Sequence, residues 1–108
     1  MDERERRLGE NEILYRDVNE RVRELNEQFG VDDQIEFVCE CARLECTERL
    51  AMSMAEYEQI RANGARFVVA AGHEDPTIEH VVAGNERFFT IEKDDDGPAQ
   101  LARDADPR

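Results

Sequence analysis

Apolar residues recur every seven positions at the start of the chain: Leu8, Tyr15, Val22 and Phe29. Val18 and Leu25 fall between them, and Asn11 continues that second series. This is an a/d heptad pattern over about three heptads, and it predicts one long helix across residues 2–29. No proline interrupts the segment, Asp2 can cap its start, and Gly30 can stop it. At about 1.5 Å per residue the helix spans roughly 40 Å, longer than the small domain behind it needs. Its stripe either packs on the chain's own domain or serves as an arm for a protein partner or a homodimer. Asn11 in the seam would suit register selection.

Past Gly30 the period drops to two. From Gln34 to Ala42, the residues Ile35, Phe37, Cys39 and Cys41 share one face of a predicted strand. Residues 48–52 read as a second strand. Ser53 and Glu56 form a capping box that opens a helix ending at Gly64, with Tyr57 and Ile60 as its buried side. Residues 65–71, ARFVVAA, predict a buried strand. Asp75-Pro76 reads as a cap followed by the first position of a short helix. Ile78, Val81 and Val82 would be that helix's apolar face, and Gly84-Asn85 its end. Residues 87–93 close the fold as a last strand. Residues 94–108, polar and containing Gly and Pro, predict a disordered acidic tail. The fold class is therefore α+β. A long amphipathic helix over 1–30 precedes a small α+β domain over 31–93, a small antiparallel sheet with two short helices.

The composition narrows the function classes. One hundred and eight residues allow one domain. Twenty-seven acidic against 14 basic residues give a net charge of -13. That balance argues against direct nucleic-acid binding, which needs a Lys/Arg surface, and against an anionic membrane. The longest apolar run, Phe67 to Ala71, is far short of a membrane span. The opening MDERERR is followed by no apolar stretch, so the expectation is a cytoplasmic protein without a signal peptide.

The chemistry concentrates in Cys39, Cys41 and Cys46, spaced C-x-C-x4-C. An odd number of cysteines in a cytoplasmic-looking chain argues against a disulfide framework. Cys39 and Cys41 project from one face of a strand, and Cys46 can return through the following turn. Soft thiolates gathered in this way favour zinc. His73, in the loop GHEDP, is the expected fourth ligand. His80, inside the second predicted short helix, is the alternative. A folded core of about sixty residues is marginal and gains from a metal staple. Two other readings stand beside zinc: small core cysteines in phase with Ile35 and Phe37, and a thiol–disulfide switch.

Familiar catalytic patterns do not fit. The H-x-E and P-C-x2-C arrangement of zinc deaminases is reversed and differently spaced here. Neither a P-loop nor G-x-S-x-G occurs. Tyr57 and Arg61 read as a core tyrosine beside a solvated arginine. Glu74 and Asp75 read as groups that orient His73 or cap a helix, and Asp94-Asp95-Asp96 as a solvated run.

The run from Phe37 to Lys93 resembles a family of small uncharacterised bacterial proteins, largely actinobacterial. These share a CEC-x4-C knuckle, an EY-x2-(I/V)R helix, a strand ending in GHE and a closing VEK-like strand. The resemblance covers about residues 11–93. It is carried by Cys39, Cys41, Cys46, Glu56, Tyr57, Arg61, Phe67, Gly72, His73, Glu74, Glu92 and Lys93. Where the family has VEK, this chain has IEK. The resemblance implies a metal site at the three cysteines and His73 and brings no activity with it.

The function expected from sequence is a non-enzymatic zinc-binding regulatory protein, acting in protein–protein interaction. A redox sensor that releases zinc on oxidation is one alternative. An acidic inhibitor of a nucleic-acid-binding protein is the other.

Overall fold

The computed structural model describes every residue except Asp96. Helix α1 runs from Glu3 to Gln28. Asp2 caps it by accepting the Glu5 N–H at 2.7 Å. The chain leaves through Gly30, whose φ of 71° is the left-handed conformation that suits glycine after a helix. Strands β1 (Ile35–Val38) and β2 (Arg49–Met52) pair antiparallel, with Phe37 opposite Leu50 and Ile35 opposite Met52. Helix α2 (Met54–Arg61) opens on the expected capping box between Ser53 and Glu56. Strands β3 (Arg66–Val69), β4 (Glu79–Gly84) and β5 (Phe89–Lys93) form a second antiparallel sheet in the order β3-β5-β4. Helix α3 (Gly97–Asp104) follows. The α+β class holds, with two small sheets where one was expected. Their apolar faces and α2 share one core, in which the Phe37 and Tyr57 rings stack at 4.3 Å.

Two expected elements differ. Residues 75–85 do not form a helix. Asp75 accepts the Thr77 N–H in a tight turn, and the chain continues as strand β4 against β5. Spacing at i, i+3 and i+4 allowed a helix for Ile78, Val81 and Val82. But Thr77, Ile78, Val81 and Val82 are all β-branched, and pairing with β5 decides the outcome. The expected disordered tail over 94–108 is folded over most of its length. Ala99 and Ala102 of α3 are buried, and Arg108 pairs with both Glu20 and Glu58. Several of the charges that made the segment look solvated have partners: Asp94, Asp106 and Arg108. Of the acidic run, Asp94 contacts His80 at 3.1 Å, and Asp96 lies outside the described residues.

The docking of α1 departs furthest from its heptad pattern. Leu8, Tyr15 and Val22 are half-buried. Leu14, Val18, Leu25 and Phe29 are 54, 41, 48 and 74 % exposed. The face against the domain is Gly9, Glu12, Arg16, Asn19 and Glu20. Lys93 Nζ donates to Glu12 and, at 2.8 Å, to Glu79, and all three residues are buried. Arg16 donates to the carbonyls of Gly64 and Ala102, each at 2.8 Å, and lies over the Phe67 ring. Glu20 accepts from the Tyr57 hydroxyl, Arg61 and Arg108. Arg61, expected to be solvated, is 3 % exposed and also pairs with Asp106. Buried charges are tolerated only when paired in this way.

Candidate metal centre

The loop between β1 and β2 carries all three cysteines, and the turn after β3 carries the histidine. Cys39 and Cys41 continue the inward alternation of Ile35 and Phe37 and are buried. The loop bends at Ala42–Glu45, where the Cys46 N–H donates to the Arg43 carbonyl at 3.1 Å. That brings Cys46 back to its neighbours. On the other side Gly72 adopts a φ of 87°, which a side chain would resist, and the His73 N–H donates back to Ala70 at 3.0 Å. This turn aims the imidazole Nδ1 at the thiols.

The ligand atoms of Cys39, Cys41, Cys46 and His73 all lie within 4.8 Å of one another. They are the one such metal-capable group among the described residues. His73 Nδ1 is 3.6 Å from Cys39 Sγ and 3.5 Å from Cys46 Sγ. A tetrahedral zinc with ordinary zinc–sulfur and zinc–nitrogen bonds sets sulfur and nitrogen about 3.5–3.6 Å apart. Hydrogen bonding explains the arrangement less well, because one ring nitrogen has a single lone pair or a single proton to share between two sulfurs. The cluster therefore has the spacing and the donor set of a metal-binding site.

Its surroundings pull the three sulfurs in opposite directions. The Ala70 N–H donates to Cys39 Sγ at 3.2 Å. Cys41 is held down at about 5, first by its contact with Cys39, against the effect of burial. Cys39 and Cys46 are pushed up, Cys39 by Cys41 and by burial, Cys46 chiefly by burial. Three sulfurs this close cannot all ionise without a cation among them, and that cation is what a metal supplies.

His80 takes no part. It is exposed on β4 and bonds to Asp94. Asp75 caps the Thr77 turn, and no hydrogen bond joins Glu74 to His73 among the described residues.

Sequence reasoning missed the groups that brace the site. Glu40, between two ligands, turns its side chain away from them and is fully buried. Its N–H donates to the Val68 carbonyl and its carboxylate accepts the Val68 N–H, so it finishes the open edge of β3. Burial lifts this carboxyl to about 7, against the hydrogen bonds from Asn19 and Val68. Asn19 finishes β1 in the same manner. Its amide accepts the Val38 N–H and donates to the Val38 carbonyl, both at 2.8 Å, and donates to Glu40. A polar residue spaced at i, i+4 and i+8 along α1 (Asn11, Tyr15, Asn19) was the available signal.

Comparisons with protein-family models, curated proteins and solved structures give no match. Among the described residues, no helix is long and apolar enough to cross a membrane.

Proposed function

We propose that the protein is a zinc-stabilised, non-enzymatic interaction module. The observation that carries this reading is the closure of the site. Three thiols and one imidazole gathered within 4.8 Å would fill all four positions of a tetrahedral zinc, whereas catalytic zinc keeps a position open for water or substrate. With zinc bound, the knuckle is a cross-link between the β1–β2 loop and the turn after β3.

The interaction face is the outer side of α1. Leu14, Val18, Leu25 and Phe29 lie along one exposed line, with Glu10, Asp17 and Glu24 beside it. A net charge of -13 repels a second copy and attracts a cationic amphipathic segment of another protein. The oligomeric state tests this choice. A monomer at micromolar concentration by sedimentation agrees with it, and a dimer broken by Leu25→Asp replaces the cationic partner with a second copy.

Elemental analysis tests the metal. Protein purified without added metal is expected to carry one zinc per chain, lost or weakened in Cys46→Ser and His73→Ala. A chain that carries no metal as purified and takes up none from added zinc would sink the reading.

A second reading rests on the half-burial of Cys46 at the rim of the cluster. Hydrogen peroxide could take two electrons from the Cys46 and Cys41 thiolates. One disulfide would form, two solvent protons would be consumed, the peroxide would become water, and the metal would leave. Zinc release by peroxide that a thiol reductant reverses would establish this sensor role.

A further inference from the structure

The stretch between the second and third cysteine has no regular structure. Ala42 is half-buried, and Arg43, Leu44 and Glu45 are exposed. It is held at its ends by Cys41 and Cys46, and its shape follows theirs. Helix α1 nevertheless relies on its backbone. Asn11 Nδ2 donates to the Ala42 carbonyl at 3.1 Å, and the Tyr15 hydroxyl donates to the Leu44 carbonyl at 2.9 Å. One turn further on, Asn19 grips Val38 through both backbone groups and donates to Glu40. Asn11, Tyr15 and Asn19 therefore form a row along α1 that reads the backbone from Val38 to Leu44, the segment containing two of the ligands.

Ile13 and Val22 add apolar contact with the core, and the other side chains of the docked face are Glu12, Arg16 and Glu20, groups that water solvates well when they are released. Hydrogen bonds are directional and fail when a partner shifts by an ångström, whereas apolar contacts slide. A helix held by such bonds to a loop responds sharply to that loop's shape.

We infer that metal occupancy and the docking of α1 are coupled. The metal keeps the carbonyls of Ala42 and Leu44 where Asn11 and Tyr15 meet them, and α1 in turn braces the knuckle around the metal. This rests on the metal-binding reading above and adds to it a regulated element, the helix that carries the exposed apolar line. Coupling of this kind is reciprocal, so weakening either side weakens the other by the same factor.

Hydrogen exchange on the full chain, zinc-loaded and then stripped by a chelator, tests the inference. Stripping is expected to speed exchange of the α1 amides from Asn11 to Glu20 by about tenfold or more, while Phe67–Val69 and Ile91 keep their protection. In the other direction, Asn11→Ala combined with Tyr15→Phe is expected to weaken zinc affinity about tenfold, read by competition with a chromophoric chelator. Zinc-bound and stripped chains with the same α1 exchange would overturn the coupling and leave the zinc site standing. So would native zinc affinity in the double variant. Equal acceleration in β3, β5 and α1 would also overturn it, because the metal would then hold the whole fold. A chain that takes up no zinc overturns the metal reading, and the coupling with it.

Discussion

Arg16 has no exposure to solvent, yet both of its bonds go to backbone carbonyls near the C-terminal ends of α2 and α3, where the helix dipole is negative. One side chain thereby joins three helices. Arg16→Leu keeps the bulk and leaves two carbonyls unpaired, so the expected loss is about 2–4 kcal/mol in urea denaturation of the zinc-loaded chain. Arg16→Lys reaches only one carbonyl and is expected to lose about half as much. Glu12 behaves differently. Burial, and the Glu79 carboxylate beside it, push its carboxyl well above the usual 4.5, against the attraction of Lys93. A carboxyl raised on folding contributes stability below its unfolded pKa and loses that contribution as pH rises through the folded value. Glu12→Gln imitates the protonated form. The melting temperature of the native chain, taken relative to that of Glu12→Gln, is expected to fall as pH rises above 4.5. Identical pH profiles would show that Glu12 is ionised throughout.

At the scale of elements, α3 is the surprise. Removing residues 97–108 takes away the buried Ala99 and Ala102, the Ala102 acceptor of Arg16, and the Arg61–Asp106 and Arg108 pairs. The expected cost is about 3–5 kcal/mol in denaturant unfolding, whereas loss of a disordered tail would cost nothing. The outer line of α1 makes the opposite prediction: Val18→Asp and Leu25→Asp should change stability by less than about 0.5 kcal/mol. What could be read from sequence was what has a local cause. Asp2 and Gly30 bound α1, Ser53 and Glu56 open α2, and the cysteine spacing gathers three of the four candidate ligands in one loop, with His73 in a turn 27 residues beyond Cys46. What could not be read depends on distant partners. Val81 and Val82 fit two periods until β5 pairs with them. The heptads of α1 named one edge of the docked face, Asn11, Tyr15 and Val22, but not its centre, because Glu12, Arg16 and Glu20 find partners from 37 to 88 residues away.

For the whole molecule, acid and alkali act on different carboxylates. Burial would raise Glu20, but hydrogen bonds from Arg108 and Tyr57 and the charge of Arg61 hold it at about 2. A depressed carboxyl contributes stability above its unfolded pKa and loses it as pH falls through the folded value. The native chain should therefore lose stability between pH 4.5 and about 2 more steeply than Glu20→Gln, measured by denaturant midpoint at fixed zinc. An equal slope in the two proteins would remove Glu20 from the acid response. The distances along the chain spanned by the α1 contacts also order events during synthesis. The helix has local signals and is made first, but the groups it docks against follow from 19 to 88 residues later, Lys93, Ala102 and Arg108 last. Until then the centre of its docking side presents glutamate and arginine to water, so the part of the helix that waits longest for its partners is also the part that water solvates best.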